Sequence, residues 1–142
     1  LDLSFEKKRK VFKEILDMQR KKTGKLFNFC CYSVGVIAKK NNRIKKELST
    51  LGEDIGLLFQ LADDFLDIKG SKKIIGKPIK KDKKKGKSTL INLIGYKKAE
   101  IFANKLKTDI LRRLFKHGKK ANNLIKTVEF IIDRNFWWIK NY

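Results

Sequence analysis

The chain has 142 residues, 42% of them hydrophobic, and a formal net charge of +21. That is one domain's length with apolar content enough for a true core, which excludes wholesale disorder. Its longest apolar run, Leu26 to Ala38, is interrupted by Asn28 and Ser33 and is too short to cross a bilayer; with no secretory signal pattern either, a cytoplasmic protein without an integral membrane segment is expected.

Ser4 is placed to cap a first helix, on which Val11, Ile15, Leu16 and Met18 form a loose stripe as far as Arg20. Lys21 to Gly24 reads as a break or a re-entry. Leu26 to Lys39 is the most apolar helix candidate, and its small residues Ser33, Gly35 and Ala38 would let a neighbour approach closely. Asn41 and Asn42 end it. From Ile44 an amphipathic helix runs on to Ile68, with Gly52 and Gly56 tolerated inside it. Lys69 to Lys87, punctuated by Gly70, Gly76, Pro78 and Gly86, reads as a loop with ten lysines and one acid, Asp82. Ser88 to Gly95 is a short helix closed by its glycine. Lys97 to Lys116 places Ile101, Phe102, Leu106, Ile110, Leu111, Leu114 and Phe115 at helical spacing, and Gly118 ends it. Lone His117 is then a surface or C-cap residue. Ala121 to Ile139 makes the last helix, with Leu124, Ile125, Val128, Ile131 and Ile132 on one side and Trp137 and Trp138 as core or contact residues near its end. Strand-type alternation never lasts beyond a few residues, so an all-α fold is expected.

Lysine dominates the charge: six of the 36 basic residues are arginine. Such a balance can signal nucleic acid or an anionic membrane. Here the dispersed lysines accompany abundant Asn, Ile and Phe, the composition of an AT-rich coding sequence, and no nucleic-acid-binding motif is present, so no nucleic-acid partner is expected. Cys30 and Cys31 are adjacent, which suits neither a zinc finger nor a thioredoxin motif. They read as buried free thiols in a reducing compartment.

The chemistry gathers in Gly56-Leu57-Leu58-Phe59-Gln60-Leu61-Ala62-Asp63-Asp64-Phe65-Leu66-Asp67. On a helix Gln60, Asp63, Asp64 and Asp67 fall on one side, while Leu58, Leu61, Phe65 and Ile68 populate much of the rest. Like charges on a greasy helix are costly to desolvate, so something positive must face them. Carboxylates with no nearby histidine or cysteine suit a hard cation such as Mg2+, which binds through one or two carboxylates, its own waters and substrate phosphates. The bland alternative is an acidic, solvated helix face.

Phe59-Gln60, Asp63-Asp64-Phe65-Leu66-Asp67, Gly76-Lys77, Asp82 and Gly86-Lys87-Ser88-Thr89 together resemble the second aspartate-rich region of the trans-isoprenyl diphosphate synthases, the farnesyl and geranylgeranyl diphosphate synthase family. Upstream, Lys22-Thr23-Gly24-Lys25-Leu26 resembles that family's Lys-Thr-Gly segment. Downstream, Ile131-Ile132-Asp133-Arg134-Asn135 resembles its C-terminal helix. The matches come in the family's order and span nearly the whole chain. The resemblance implies the C-terminal half of an isoprenoid-synthase helical bundle, a partial polyprenyl synthetase domain over residues 1–142 with residues 69–87 as a lysine-rich active-site loop. Leu1-Asp2-Leu3 reads as mid-protein, so an N-terminal half with the first aspartate-rich motif is expected beyond this chain.

The implied reaction is Mg2+-dependent condensation of an allylic diphosphate with isopentenyl diphosphate. The resemblance assigns Asp63 as the clearest metal ligand, with Asp64 and Asp67 ligating or orienting metal waters. Lys22, Lys77 and Lys87 would bind the diphosphate, and Thr23 and Gln60 would lie beside the reacting carbons. It implies a homodimer as well. Lys80 departs from the family, which often has glycine there, and that puts the loop's turn in question. With half of an active site, the chain is expected to be inactive alone. Rival readings are a class I terpene cyclase, which usually lacks the Gly-Lys-Ser-Thr loop, a non-catalytic synthase-like subunit, and a basic helical domain binding nucleic acid.

Overall fold

The computed structural model describes the backbone of residues 3–75 and 89–137, and side chains over 11–68 and 89–133. Helices α1 (Leu3–Gln19), α2 (Lys25–Ile37), α3 (Asn42–Ile75), α4 (Leu90–Ile94), α5 (Tyr96–Phe115) and α6 (Asn122–Trp137) follow one another. There is no strand among the described residues, as the periodicity predicts. No helix among them is long and apolar enough to cross a membrane.

Of the two expectations for Lys21 to Gly24, a break or a re-entry into helix, the chain shows no break. Arg20–Gly24 form a π-helical turn, whose flanking residues keep right-handed helical angles, so α1 passes into α2 through a widened coil. Such turns often mark functional sites. The helix is already running at Leu3, so Ser4 lies inside it rather than capping it. Between α2 and α3 the chain reverses through Lys39 at φ 50°, and Asn41 Oδ1 accepts from the Ile44 amide at 3.0 Å to cap α3. α3 continues to Ile75, so the stretch from Lys69 to Ile75 is helix rather than loop. Thr89 caps α4 by accepting from the Asn92 amide at 3.2 Å, and Gly95 closes it at φ 84°.

α3 is the central element. Ile55, Leu57, Leu58 and Leu61 are almost fully buried and meet Leu90 of α4, Ile110 of α5 and Val128 of α6 in one cluster. Burial of each such side chain contributes about 1.5–3 kcal/mol. Aromatic pairs stitch the layers: Phe12 of α1 meets Phe102 of α5 edge-on at 6.1 Å, and Phe65 of α3 meets Tyr96 at 5.1 Å. Asp54 of α3 accepts from Arg113 of α5 at 2.6 Å and lies 3.6 Å from Arg20 of the π-turn.

The α2–α3 pair sets the position of the site, and it is closer than the sequence reading assumed. Gly52 and Gly56 are required rather than tolerated. A Cβ on Gly52 would lie 2.7 Å from the carbonyl carbon of Phe27, and one on Gly56 would lie 2.7 Å from the Cα of Gly24. Polar contacts flank this seam: Asn28 Nδ2 donates to Ser49 Oγ at 2.7 Å and to Glu53 Oε1 at 2.9 Å, while Lys25 Nζ reaches the same oxygen at 3.0 Å.

Several large apolar side chains face solvent. Met18 is exposed, as are Leu26, Phe29, Val34 and Ile37 of the apolar helix α2. Cys30 is exposed and Cys31 half-buried, which corrects the expectation of two buried thiols. Burial, helped by the neighbouring Cys30, pushes the Cys31 thiol up.

Candidate functional site

The π-turn ends in Lys22, Thr23 and Gly24, and Gly24 sits against Gly56 with no side chain between them. From Gly56, Gln60 is one turn further along α3, and Asp63, Asp64 and Asp67 follow at helical spacing. The backbone approach therefore delivers the lysine–threonine pair to the acidic side of α3. Between them lies a hollow of about 430 Å³ lined by Lys22, Thr23, Gln60, Asp63, Asp64, Leu66 and Asp67. Every one of the expected site residues on these two elements is at that hollow. Gly76, Lys77, Asp82, Gly86, Lys87 and Ser88 lie outside the described residues.

The polar groups are joined in a chain. Thr23 Oγ1 donates to Gln60 Oε1 at 3.1 Å. Gln60 Nε2 donates to Asp64 Oδ1 at 3.2 Å. The other oxygen, Asp64 Oδ2, accepts from Gln19 Nε2 at 2.8 Å. Gln19, Gln60 and Asp64 are all buried, Asp63 is half-buried, and Asp67 and Lys22 are exposed at the mouth. The side of α3 is thus graded from a buried, hydrogen-bonded carboxylate to solvent-facing ones.

Burial pushes the Asp64 carboxyl above the ordinary range, and the negative charges of Asp67 and Asp63 add to that. The hydrogen bond from Gln60 and the positive charge of Lys22 oppose the rise. Desolvation dominates because this carboxylate has exchanged its water for two amides.

Among the described residues, no three or more His, Cys, Asp or Glu side chains stand together as a metal cage. The donor chemistry at the hollow is oxygen alone, with a cationic lysine across from it. That set fits a hard cation that keeps much of its hydration, is touched by one or two carboxylates and shares an anionic ligand with Lys22.

Gln19 was missed in the sequence. Its signal was position: it precedes Thr23 by four residues, hence shares its side of a continuous helix. The expected break after Arg20 hid that relation.

Comparisons with known proteins place the chain in a family. A sequence model of the family described as polyprenyl synthetase matches residues 1–129. The farnesyl diphosphate synthase of Micrococcus luteus is 31% identical over 135 residues, covering 95% of this chain and 46% of that protein. The short chain isoprenyl diphosphate synthase of Methanocaldococcus jannaschii is 40% identical over 91 residues, covering 64% of this chain and 28% of that protein. Among solved structures, a geranyltransferase from Helicobacter pylori 26695 superimposes with a TM-score of 0.61 at 24% identity, over 87% of this chain and 38% of that one, which is a likeness of fold. The chain spans less than half the length of these relatives.

Proposed function

We propose a function from the premise that the chain belongs to the polyprenyl synthetase family: it forms the diphosphate-handling side of a prenyltransferase active site. In that reaction the carbon–oxygen bond of an allylic diphosphate breaks and its electron pair leaves with the diphosphate. The double bond of isopentenyl diphosphate attacks the carbocation, and loss of a proton gives a chain longer by one isoprene unit. The observation that carries the reading is the hollow that Lys22 and Thr23 share with Gln60, Asp63 and Asp67.

Each residue has a physical task there. Lys22 donates to the diphosphate and offsets its growing charge. Asp63 and Asp67 would hold Mg2+, which when bound supplies further positive charge to the leaving group. Asp64, engaged by two amides, orients its neighbours. The Thr23 hydroxyl donates its hydrogen bond to Gln60 Oε1, so the Thr23 oxygen keeps its lone pairs for a developing carbocation. Lys77 and Lys87 join as diphosphate donors on the strength of the Gly-Lys motifs that carry them. Condensation needs the groups that grip isopentenyl diphosphate, so this chain alone is expected to bind a diphosphate without elongating a prenyl chain.

Calorimetric titration of the 142-residue chain with inorganic pyrophosphate, with and without MgCl2, tests the reading. Saturable binding that requires Mg2+ and is weakened about tenfold or more by Asp63→Asn or Lys22→Ala is the expected result. Binding indifferent to both substitutions would refute it.

A further inference from the structure

We propose that Gln19 is a positioning residue: its side-chain amide fixes the Asp64 carboxylate, and through Asp64 and Gln60 it sets where the Thr23 hydroxyl stands in the hollow. Only the effect on ligand affinity rests on the function proposed above. The positioning itself is a property of the chain without ligand.

Gln19 is the last residue of α1 and only 3% exposed, although Met18 beside it is 46% exposed. α1 therefore ends by turning a polar side chain inward and an apolar one outward. Simple packing would favour the reverse. The inward amide is also incompletely satisfied: its Oε1 is buried with no hydrogen-bond partner among the described residues. Leaving such a group buried without a partner is costly. A leucine of similar size would avoid that cost, so the amide's contribution is the contact it makes with Asp64.

That contact has a defined sense. An ionised carboxylate only accepts, so the amide must present Nε2 and leave Oε1 behind. Asp64 then accepts one N–H on each oxygen, from Gln19 on Oδ2 and from Gln60 on Oδ1. Donors from two different helices fix the plane of the carboxylate. With Gln60 Nε2 committed to Asp64, Gln60 Oε1 is turned toward Thr23, whose hydroxyl donates to it. Donation runs from Thr23 to Gln60 to Asp64, and from Gln19 to Asp64 on the other side. Removing Gln19 releases one oxygen of the carboxylate that anchors the rest. Gln19 lies outside the residues lining the hollow, so it acts through Asp64 rather than on a ligand.

The test compares Gln19→Leu with the wild-type chain by NMR of the Gln60 side-chain NH2 group, without ligand, and by calorimetry with Mg2+ and inorganic pyrophosphate. The expected result is a shift of the Gln60 NH2 signals with faster exchange against water, and affinity lowered about tenfold. In an Asp64→Asn background the same substitution is expected to add nothing, because the two residues act in series. Gln60 signals unmoved in a folded Gln19→Leu chain overturn the proposal. So does an affinity changed by less than about twofold, which would leave Gln19 a packing residue. Should circular dichroism show Gln19→Leu unfolded, Gln19→Asn, one methylene too short to reach, carries the same expectations. A wild-type chain that binds no pyrophosphate counts against the function above, while the Gln60 signals still decide the case of Gln19.

Discussion

Gly24 and Gly56 touch backbone to backbone: a Cβ added to Gly56 would stand 2.7 Å from the Cα of Gly24. One residue from this contact is Thr23, and one helical turn from it is Gln60, and these two share a hydrogen bond of 3.1 Å. The site's two walls are thus held by main chain, and the side chains only finish the surface.

Alanine at Gly56 or Gly52 should destabilise the chain by about 1–3 kcal/mol through overpacking against backbone that cannot swing away. Helix propensity alone would give the opposite sign, by about 1 kcal/mol in favour of alanine. Urea midpoints of the two variants separate these outcomes. A midpoint equal to or above wild type would mean that the helices can part at no cost.

Asp54→Asn should cost about 2 kcal/mol. Asp54 is 15% exposed and pairs with Arg113 at 2.6 Å and Arg20 at 3.6 Å. Breaking a buried pair costs about 3–5 kcal/mol and an exposed one about 0–1, and this pair lies between those extremes. Because Arg20 opens the π-turn, the variant should also loosen the turn. Amide hydrogen exchange at Lys22 and Thr23 reports that separately from global stability, and unchanged protection there would limit Asp54 to joining α3 and α5.

Thr23→Val keeps shape and removes the hydroxyl. It should cost about 1–2 kcal/mol, since Gln60 Oε1 loses its donor in a buried place. Thr23→Ser should stay close to wild type. Equal stability for the valine and serine variants, measured by chemical denaturation, would show that the hydrogen bond contributes nothing.

The Glu53 carboxylate is held below its ordinary range, first by the hydrogen bond from Lys25, against an opposing push from burial. The sign follows from linkage. A folded-state pKa below the unfolded one means stability that is fully present above the ordinary glutamate value of about 4.3 and lost as pH falls through the depressed folded value. Glu53→Gln should therefore flatten part of the acid limb of a stability–pH curve while changing little near neutrality beyond the lost ion pair. The effect should shrink in high salt, because Lys25 is largely exposed. Parallel acid limbs for the two proteins would remove Glu53 from the account.

Much of this was legible in the sequence. The run from Gly56 to Asp67 announced a helix with one acidic side, and Leu58, Leu61 and Phe65 are buried as their spacing required. Lys22 and Thr23 were placed at the site by motif, and the structure brings them to the hollow. What escaped were properties that only a neighbouring element confers. Gly52 looked merely permitted until Phe27 was seen against it. Leu26, Phe29 and Ile37 of the apolar helix α2 are exposed, since apolar composition says nothing of whether a second surface arrives to cover them. Lys21 to Gly24 looked like an interruption because a π-turn has no composition of its own, and that error concealed Gln19.

The wide turn at Arg20–Gly24 gives chain length a meaning of its own here. Deleting the Lys21 codon alone would leave the segment's site residues in the chain yet revolve everything upstream by about 100° relative to α2. Gln19 would then address a different flank of α3 from the one where Asp64 waits. Spacing, as much as residue type, is what heredity must preserve at this joint.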